Sequence, residues 1–376
     1  MRILLPLSQL VLFSGIVSAQ FPGLTLPYSG NNQKASTVQY LGAVRVQIDY
    51  SSPAVHGPNG QDRRGKIWGT LVPYGLTNLG FGNGKPGPWR AGANENTVFA
   101  VSHPVTIEGK ALPAGRYGLH MITGPEDWTI IFSKNSTSWG SFFYDDTQDA
   151  LRVTVKPKKH DYREYLTYEF LNRKSDSATA EMQWEDLSVA WNIKVPNENQ
   201  IYMTQLKKEL EGVPGFTHQG FVAAAQFSLA NDADLEQGLK WADQAIQFQG
   251  VATMPTLSVK ARILTKMGRG DEAKKIMQSA LKLPTTSAAE IHQYGRTLLA
   301  AKQNAEALEV FKYNFERNGD AWPVHVGLAR GYMAVGDNAK ALEHAKKAAE
   351  QAPDDLNKKN LTAMVEALAA GKTFNN

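Results

Sequence analysis

The second half of the chain repeats its apolar and small residues every 34 positions, a period that few folds can accommodate. With Trp322 as the first position of a unit, Leu328, Ala329, Tyr332, Ala341, Ala348 and Pro353 fall where a stacked helical hairpin needs its packing residues. One period earlier stand Tyr294, Gly295, Leu298, Ala307 and Phe311, and one earlier still Ala261, Leu264, Ala273, Met277 and Ala280. A further unit fits with a one-residue slip, in which the run from Asp234 to Ala242 matches the run from Asp271, and Ala245 matches Ala280. The small residues have a physical task, since two helices approach closely only where one presents Ala or Gly. Turns at Gly268-Arg269-Gly270-Asp271 and Val335-Gly336-Asp337-Asn338 count against a long coiled coil, whose heptads would run unbroken. The repeat therefore predicts an all-α solenoid of about three and a half hairpins over residues 221–370.

The remainder has a different character. Residues 20–200 hold Trp68, Trp89, Trp128, Trp139, Trp184 and Trp191, with short runs that alternate apolar and polar residues between Gly- and Pro-rich turns. This is strand chemistry, clearest at Val44–Tyr50, Thr97–Val101, Tyr117–Ile122, Trp128–Phe132, Leu151–Val155, Tyr165–Phe170 and Ser188–Ile193. An antiparallel β-sandwich or jelly roll over residues 35–196 follows, joined to the solenoid by a linker at 197–220. The chain is thus an α+β multidomain protein, as 376 residues at roughly 150 per domain also suggest.

Composition removes several functions. With 40 Lys+Arg against 36 Asp+Glu, the chain lacks the positive field that phosphate tracking requires, so nucleic acid is not an expected partner. The absence of Cys excludes disulfides, thiolate-held metals and thiol catalysis. Residues 1–19 read as a secretory signal peptide: Met1-Arg2, a mostly apolar run to Val17, then small residues before Gln20. The run falls short of the roughly 20 residues a spanning helix needs, and no second candidate follows. A periplasmic or secreted protein without an integral membrane span after signal removal is expected.

Motifs for chemistry are sparse. Gly82-Asn83-Gly84-Lys85-Pro86-Gly87 has dinucleotide-loop spacing, but Pro86 and Pro88 prevent the helix that would receive a pyrophosphate. His56, His103, His120 and His160 show no metal-ligand spacing, and Asp145, Asp146 and Asp149 lack the pattern of a calcium loop. No metal and no cofactor are expected. The richest stretch is Pro88–Thr97, in which Trp89, Arg90, Asn94 and Glu95 gather an aromatic face, a guanidinium, an amide and a carboxylate. Such a group can bind a small polar ligand or a sugar by stacking and hydrogen bonding. It can equally form a buried network in which Arg90 pairs with Glu95 and Asn94 satisfies loop backbone.

Ile67–Gly75, Trp89–Glu95, Ile107–Tyr117, Trp128–Phe132, Trp139-Gly140, Phe143-Tyr144 and Asp149–Val153 closely resemble, in order and spacing, the bacterial family called domain of unknown function 2911. The resemblance covers about residues 35–195, implies a secreted β domain and supplies no activity. The 34-residue units are similar to tetratricopeptide repeats, which places a protein or peptide partner on the repeat surface. The expected function is an exported, non-enzymatic binding or scaffold protein. The alternative is a carbohydrate-active or other hydrolase that uses carboxylates such as Asp49 and Glu95 as acid and base.

Overall fold

The computed structural model describes residues 32–248 and 252–372, so the signal-peptide segment 1–19 lies outside the described residues. The chain forms two compact units that meet in sequence at Glu198 and Asn199.

The first unit is built from β1 (Gln33–Leu41), β2 (Val44–Ser52), the short β3 (Thr77–Asn78) and β4 (Pro86–Gly87), β5 (Thr97–Val101), β6 (Val105–Ile107), β7 (Lys110–Leu112), β8 (Gly115–Ile122), β9 (Trp128–Ser133), β10 (Asp149–Val155), β11 (Lys158–Leu171) and β12 (Ser177–Lys194). One antiparallel sheet runs β1-β2-β5-β8-β9-β10, a second runs β11-β12-β6-β7, and β3 pairs with β4. Alternation explains why these segments are strands: along β2, Val44, Val46 and Ile48 are buried, whereas Arg45, Gln47 and Asp49 on the opposite face are only half-buried. The core between the sheets is aromatic, with Phe99, Phe132, Trp128, Trp184 and Trp191 fully buried. Sequence periodicity finds β2, β5, β8, β9 and β10 but not β1, β3, β4, β6 or β7, nor the full reach of β11 and β12.

The second unit comprises α1 (Glu198–Glu209), α2 (His218–Asn231), α3 (Leu235–Phe248), α4 (Met254–Lys266), α5 (Gly270–Leu281), α6 (Ala288–Ala300), α7 (Asn304–Asn318), α8 (Trp322–Ala334), α9 (Asn338–Glu350) and α10 (Asp355–Ala369). The hairpins are α2/α3, α4/α5, α6/α7 and α8/α9, four rather than three and a half. The segment 197–220 is not a plain linker. It carries α1, whose Met203 is buried against Ala224, Ala225 and Trp241, with Leu206 and Leu210 packed alongside, so it covers the first hairpin's apolar face. At the other end, Leu361, Met364 and Leu368 of α10 bury against Ala341, Ala345 and Ala348.

Side chains that begin the helices account for where they start. Ser287 accepts from the Glu290 amide while the Glu290 carboxylate accepts from the Ser287 amide, a reciprocal cap on α6. The repeated small residues do the expected work at Phe311 of α7, which is fully buried. Three glycines surround its ring: a Cβ on Gly327 or Gly331 would come within 2.6 or 2.9 Å of it, and one on Gly295 would collide outright.

The array has one irregular seam. α3 packs on α4 and α7 on α8, but α5 and α6 lack comparable backbone packing, and so do α4 and α6. Side chains bridge the gap instead. Tyr313 donates to the Leu281 carbonyl at 3.1 Å, Arg317 donates to the Leu281 and Leu283 carbonyls at 2.6 and 2.7 Å, and Lys274 meets Glu306 at 3.6 Å.

Candidate functional sites

In the β unit, Trp89 to Glu95 form a tight connection between β4 and β5, with Ala91 and Asn94 in the left-handed region at φ 52° and 58°. Trp89 exchanges backbone hydrogen bonds with Met121 of β8 at 2.9 and 2.8 Å. Its indole stacks on Trp184 at 6.1 Å, meets Trp68 and Trp128 edge-on, and donates to the Gly92 carbonyl. The ring is committed to other indoles and offers no platform to a ligand. Arg90 donates through Nη1 to the Asn94 carbonyl at 2.5 Å, and its guanidinium lies 5.0 Å from the Phe142 ring centre. Gly140, at φ 63°, lets the backbone approach that guanidinium, for any Cβ there would collide with it. Burial lowers the Arg90 pKa. Asn94 accepts through its side chain from Asn32, and Glu95 turns to Lys34 at 2.9 Å and to the Ser51 hydroxyl.

The four residues therefore point four ways. Arg90 meets a carbonyl and a ring, and the cation beside Glu95 is Lys34. Additional bonds pin the turn: Thr97 and Tyr168 hydroxyls both donate to the Ala91 carbonyl, at 3.0 and 2.7 Å.

Glu95 alone of the four reaches an open recess of about 520 Å³, lined also by Lys34, Asp49, Arg116, Ser51 and Ser138. Asp49 accepts from Ser36 at 2.7 Å, is bonded by Gln47, and faces Arg116 at 3.6 Å. Both carboxylates thus share the recess, each with its own cation and hydroxyl, an arrangement that suits a small ligand bearing both charges.

His120 of β8 lies behind Arg90, fully buried, with Nδ1 2.9 Å from the Ser141 hydroxyl. Burial, with help from the Arg90 charge, pushes its pKa down to about 4, against an ordinary 6.5. Between those values the unfolded chain binds a proton that the folded chain does not, so stability falls as pH drops from 6.5 towards 4 and is fully present above 6.5. The β unit is expected to lose on the order of 3 kcal/mol over that window. Urea unfolding of wild type and His120→Asn at pH 7 and 4.5 checks this, because equal losses in both would assign the pH dependence elsewhere. His56 sits among surface groups, 2.9 Å from Glu164 and 3.9 Å from Asp62. Among the described residues no cluster of three or more His, Cys, Asp or Glu is arranged to hold a metal ion.

In the solenoid, the seam opens as a cleft of about 1760 Å³ between α4/α5 and α6/α7. Ala261, Met277, Tyr294, Leu298 and Leu308 supply apolar lining. Arg262, Gln293 and Thr297 add polar groups, and these three are exposed. An apolar floor with polar groups along its edge can hold an extended chain, whose backbone needs hydrogen bonds and whose side chains need pockets.

Comparison with known proteins bears on both units. Residues 32–193 match the family model described as Protein of unknown function (DUF2911). Residues 298–365 match a tetratricopeptide repeat model. Similar solved structures include YrrB, described as a TPR protein with an unusual peptide-binding site, at 18% identity over 44% of this chain and 84% of that one, TM-score 0.30. MamA 41-end from Desulfovibrio magneticus RS-1 is 16% identical over 41% and 93%, TM-score 0.28. A thermophilic TPR protein of Thermus thermophilus is 18% identical over 46% and 92%, TM-score 0.30. No curated protein matches the chain. The DUF2911-type unit and the tetratricopeptide repeats thus follow each other in the order that the sequence motifs imply. Among the described residues no helix is long and apolar enough to cross a membrane.

Sequence spacing misses two things. The cleft leaves no trace, because the 34-residue register runs through α4 to α6 unchanged while the packing does not. Charged positions of the repeat also escape a search for packing residues, although the same period reaches them.

Proposed function

We propose that the chain is an exported, non-enzymatic scaffold whose solenoid holds an extended peptide of a partner protein in the cleft between α4/α5 and α6/α7. The observation that carries this reading is the seam, where a regular array opens onto Met277, Tyr294, Leu298 and Leu308. Export rests on the character of residues 1–19. The DUF2911-type unit serves as a folded platform, and its Asp49–Glu95 recess takes a small polar ligand. A hydrolase reading is less well supported there, because both carboxylates are engaged with cations.

The test uses the full chain recovered after export, with Gln20 as the first residue by N-terminal sequencing. Recovery with residues 1–19 still attached would overturn the export reading. A displayed peptide library is selected on the exported chain. Peptides are expected to bind wild type and to lose binding to Thr297→Trp, which places an indole in the cleft from an exposed helix position, while the melting temperature stays unchanged. Equal binding to both proteins, or no enrichment at all, would sink the reading.

A further inference from the structure

Arg262, Arg296 and Arg330 stand 34 residues apart, at one position of three successive repeats, each on the first helix of its hairpin. Packing explains a repeated Ala or Gly, but it does not explain a repeated cation. Several other cations of the solenoid are matched: Lys260 meets Asp243 at 2.6 Å, Lys312 meets Glu309 at 2.8 Å, and Arg317 is spent on carbonyls. None of the three repeated arginines forms an ion pair among the described residues, and the Arg330 Nε is buried without a hydrogen-bond partner.

The neighbours sharpen the point. α6 packs on α8, where Gly327 brings the backbone up to His292, so Arg330 lies one turn beyond that contact and within electrostatic reach of Arg296. His292 Nδ1 is also buried without a partner. Burial and the two guanidinium charges push the His292 pKa down to about 4, and burial with the Arg296 charge pushes Arg330 to about 10. Among the described residues no carboxylate is one of the groups acting on either residue. The protein thus keeps two repelling cations and an uncharged imidazole together, with Arg262 on the wall of the cleft across the seam. A site built from like charges is complementary to an anion.

We infer that the partner segment is an acidic extended peptide, whose carboxylates pair with Arg296 and Arg330 where α6 packs on α8. This rests on the peptide-binding reading of the solenoid. Packed helices lie roughly 8–10 Å apart and an extended chain advances roughly 3.3 Å per residue, so acidic side chains about three residues apart would meet Arg296 on α6 and Arg330 on α8.

The probes are fluorescein-labelled (Glu-Gly-Ser)4 and its neutral counterpart (Gln-Gly-Ser)4, titrated with the full exported chain by fluorescence anisotropy. The acidic probe is expected to bind, to weaken with added salt, and to exceed the neutral one by about tenfold or more. Arg296→Gln, at an exposed position, is expected to lower that affinity by about tenfold while the melting temperature holds or rises, because it relieves repulsion of Arg330. Arg330→Gln provides the second variant. Equal binding of the two probes, or affinity within about twofold of wild type in both variants, would overturn the inference. If neutral library peptides bind in a Thr297→Trp-sensitive manner while the acidic probe does not, the acidic partner is wrong and the peptide-binding solenoid stands. If neither binds, both fall.

Discussion

Phe311→Ala is expected to cost the solenoid about 3–5 kcal/mol, the range for loss of a buried aromatic side chain. The magnitude follows from what surrounds the ring. A cavity is usually relieved when neighbouring side chains lean into it, but Gly295, Gly327 and Gly331 have no side chains to lend. On the glycine sides the space left by the ring stays open, and only core neighbours such as Ile291, Leu298 and Leu328 can lean towards it. Denaturant unfolding followed by helical circular dichroism measures the loss, and a change below about 1 kcal/mol would show that the glycines do not enclose the ring as described.

The second large effect lies in the β unit. Arg90→Ala is expected to destabilise that unit by about 2–3 kcal/mol, since it removes a charge-assisted hydrogen bond to the Asn94 carbonyl and the guanidinium's contact with Phe142. Arg90→Lys should recover little of this, because an ammonium cannot lie flat on a ring while donating sideways. Arg90→Ala also removes one of the two influences that hold His120 uncharged, so the acid loss of stability should become shallower in that variant. Tryptophan fluorescence during unfolding follows the β unit, which holds six of the eight Trp. Unchanged stability with loss of a ligand would instead place Arg90 in a binding site.

How much of this is legible depends on whether the signal repeats. The solenoid can be read because Ala273, Ala307 and Ala341 perform one packing task in successive units, and all three are buried. β2 can be read because its buried face alternates cleanly. β1 cannot, for residues such as Gln33, Lys34, Ser36 and Gln39 give it little apolar pattern, and its place is fixed by pairing with β2. α1 is hidden because its buried face amounts to Met203 with Leu206, too short a pattern to tell from a connection.

The candidate site fails for a different reason. Trp89, Arg90, Asn94 and Glu95 are neighbours in sequence, yet left-handed residues at Ala91 and Asn94 rotate the chain so that their side chains diverge. Proximity in sequence is not convergence in space. Arg296 and Arg330 present the opposite case, for they are 34 residues apart in sequence and brought together where α6 packs on α8.

The seam between α5 and α6 has a consequence for how the array holds together. In a stacked array each hairpin is stabilised by its neighbours, and cooperativity travels only as far as the interfaces between them are strong. Here Met203, Trp241 and Met277 anchor cores on one side, Phe311 and Met364 anchor cores on the other, and the link between them relies on long side chains such as Tyr294 and Arg317. The array therefore behaves as two blocks joined by a weak coupling, and whatever fills the gap acts as the missing interface that makes them melt as one.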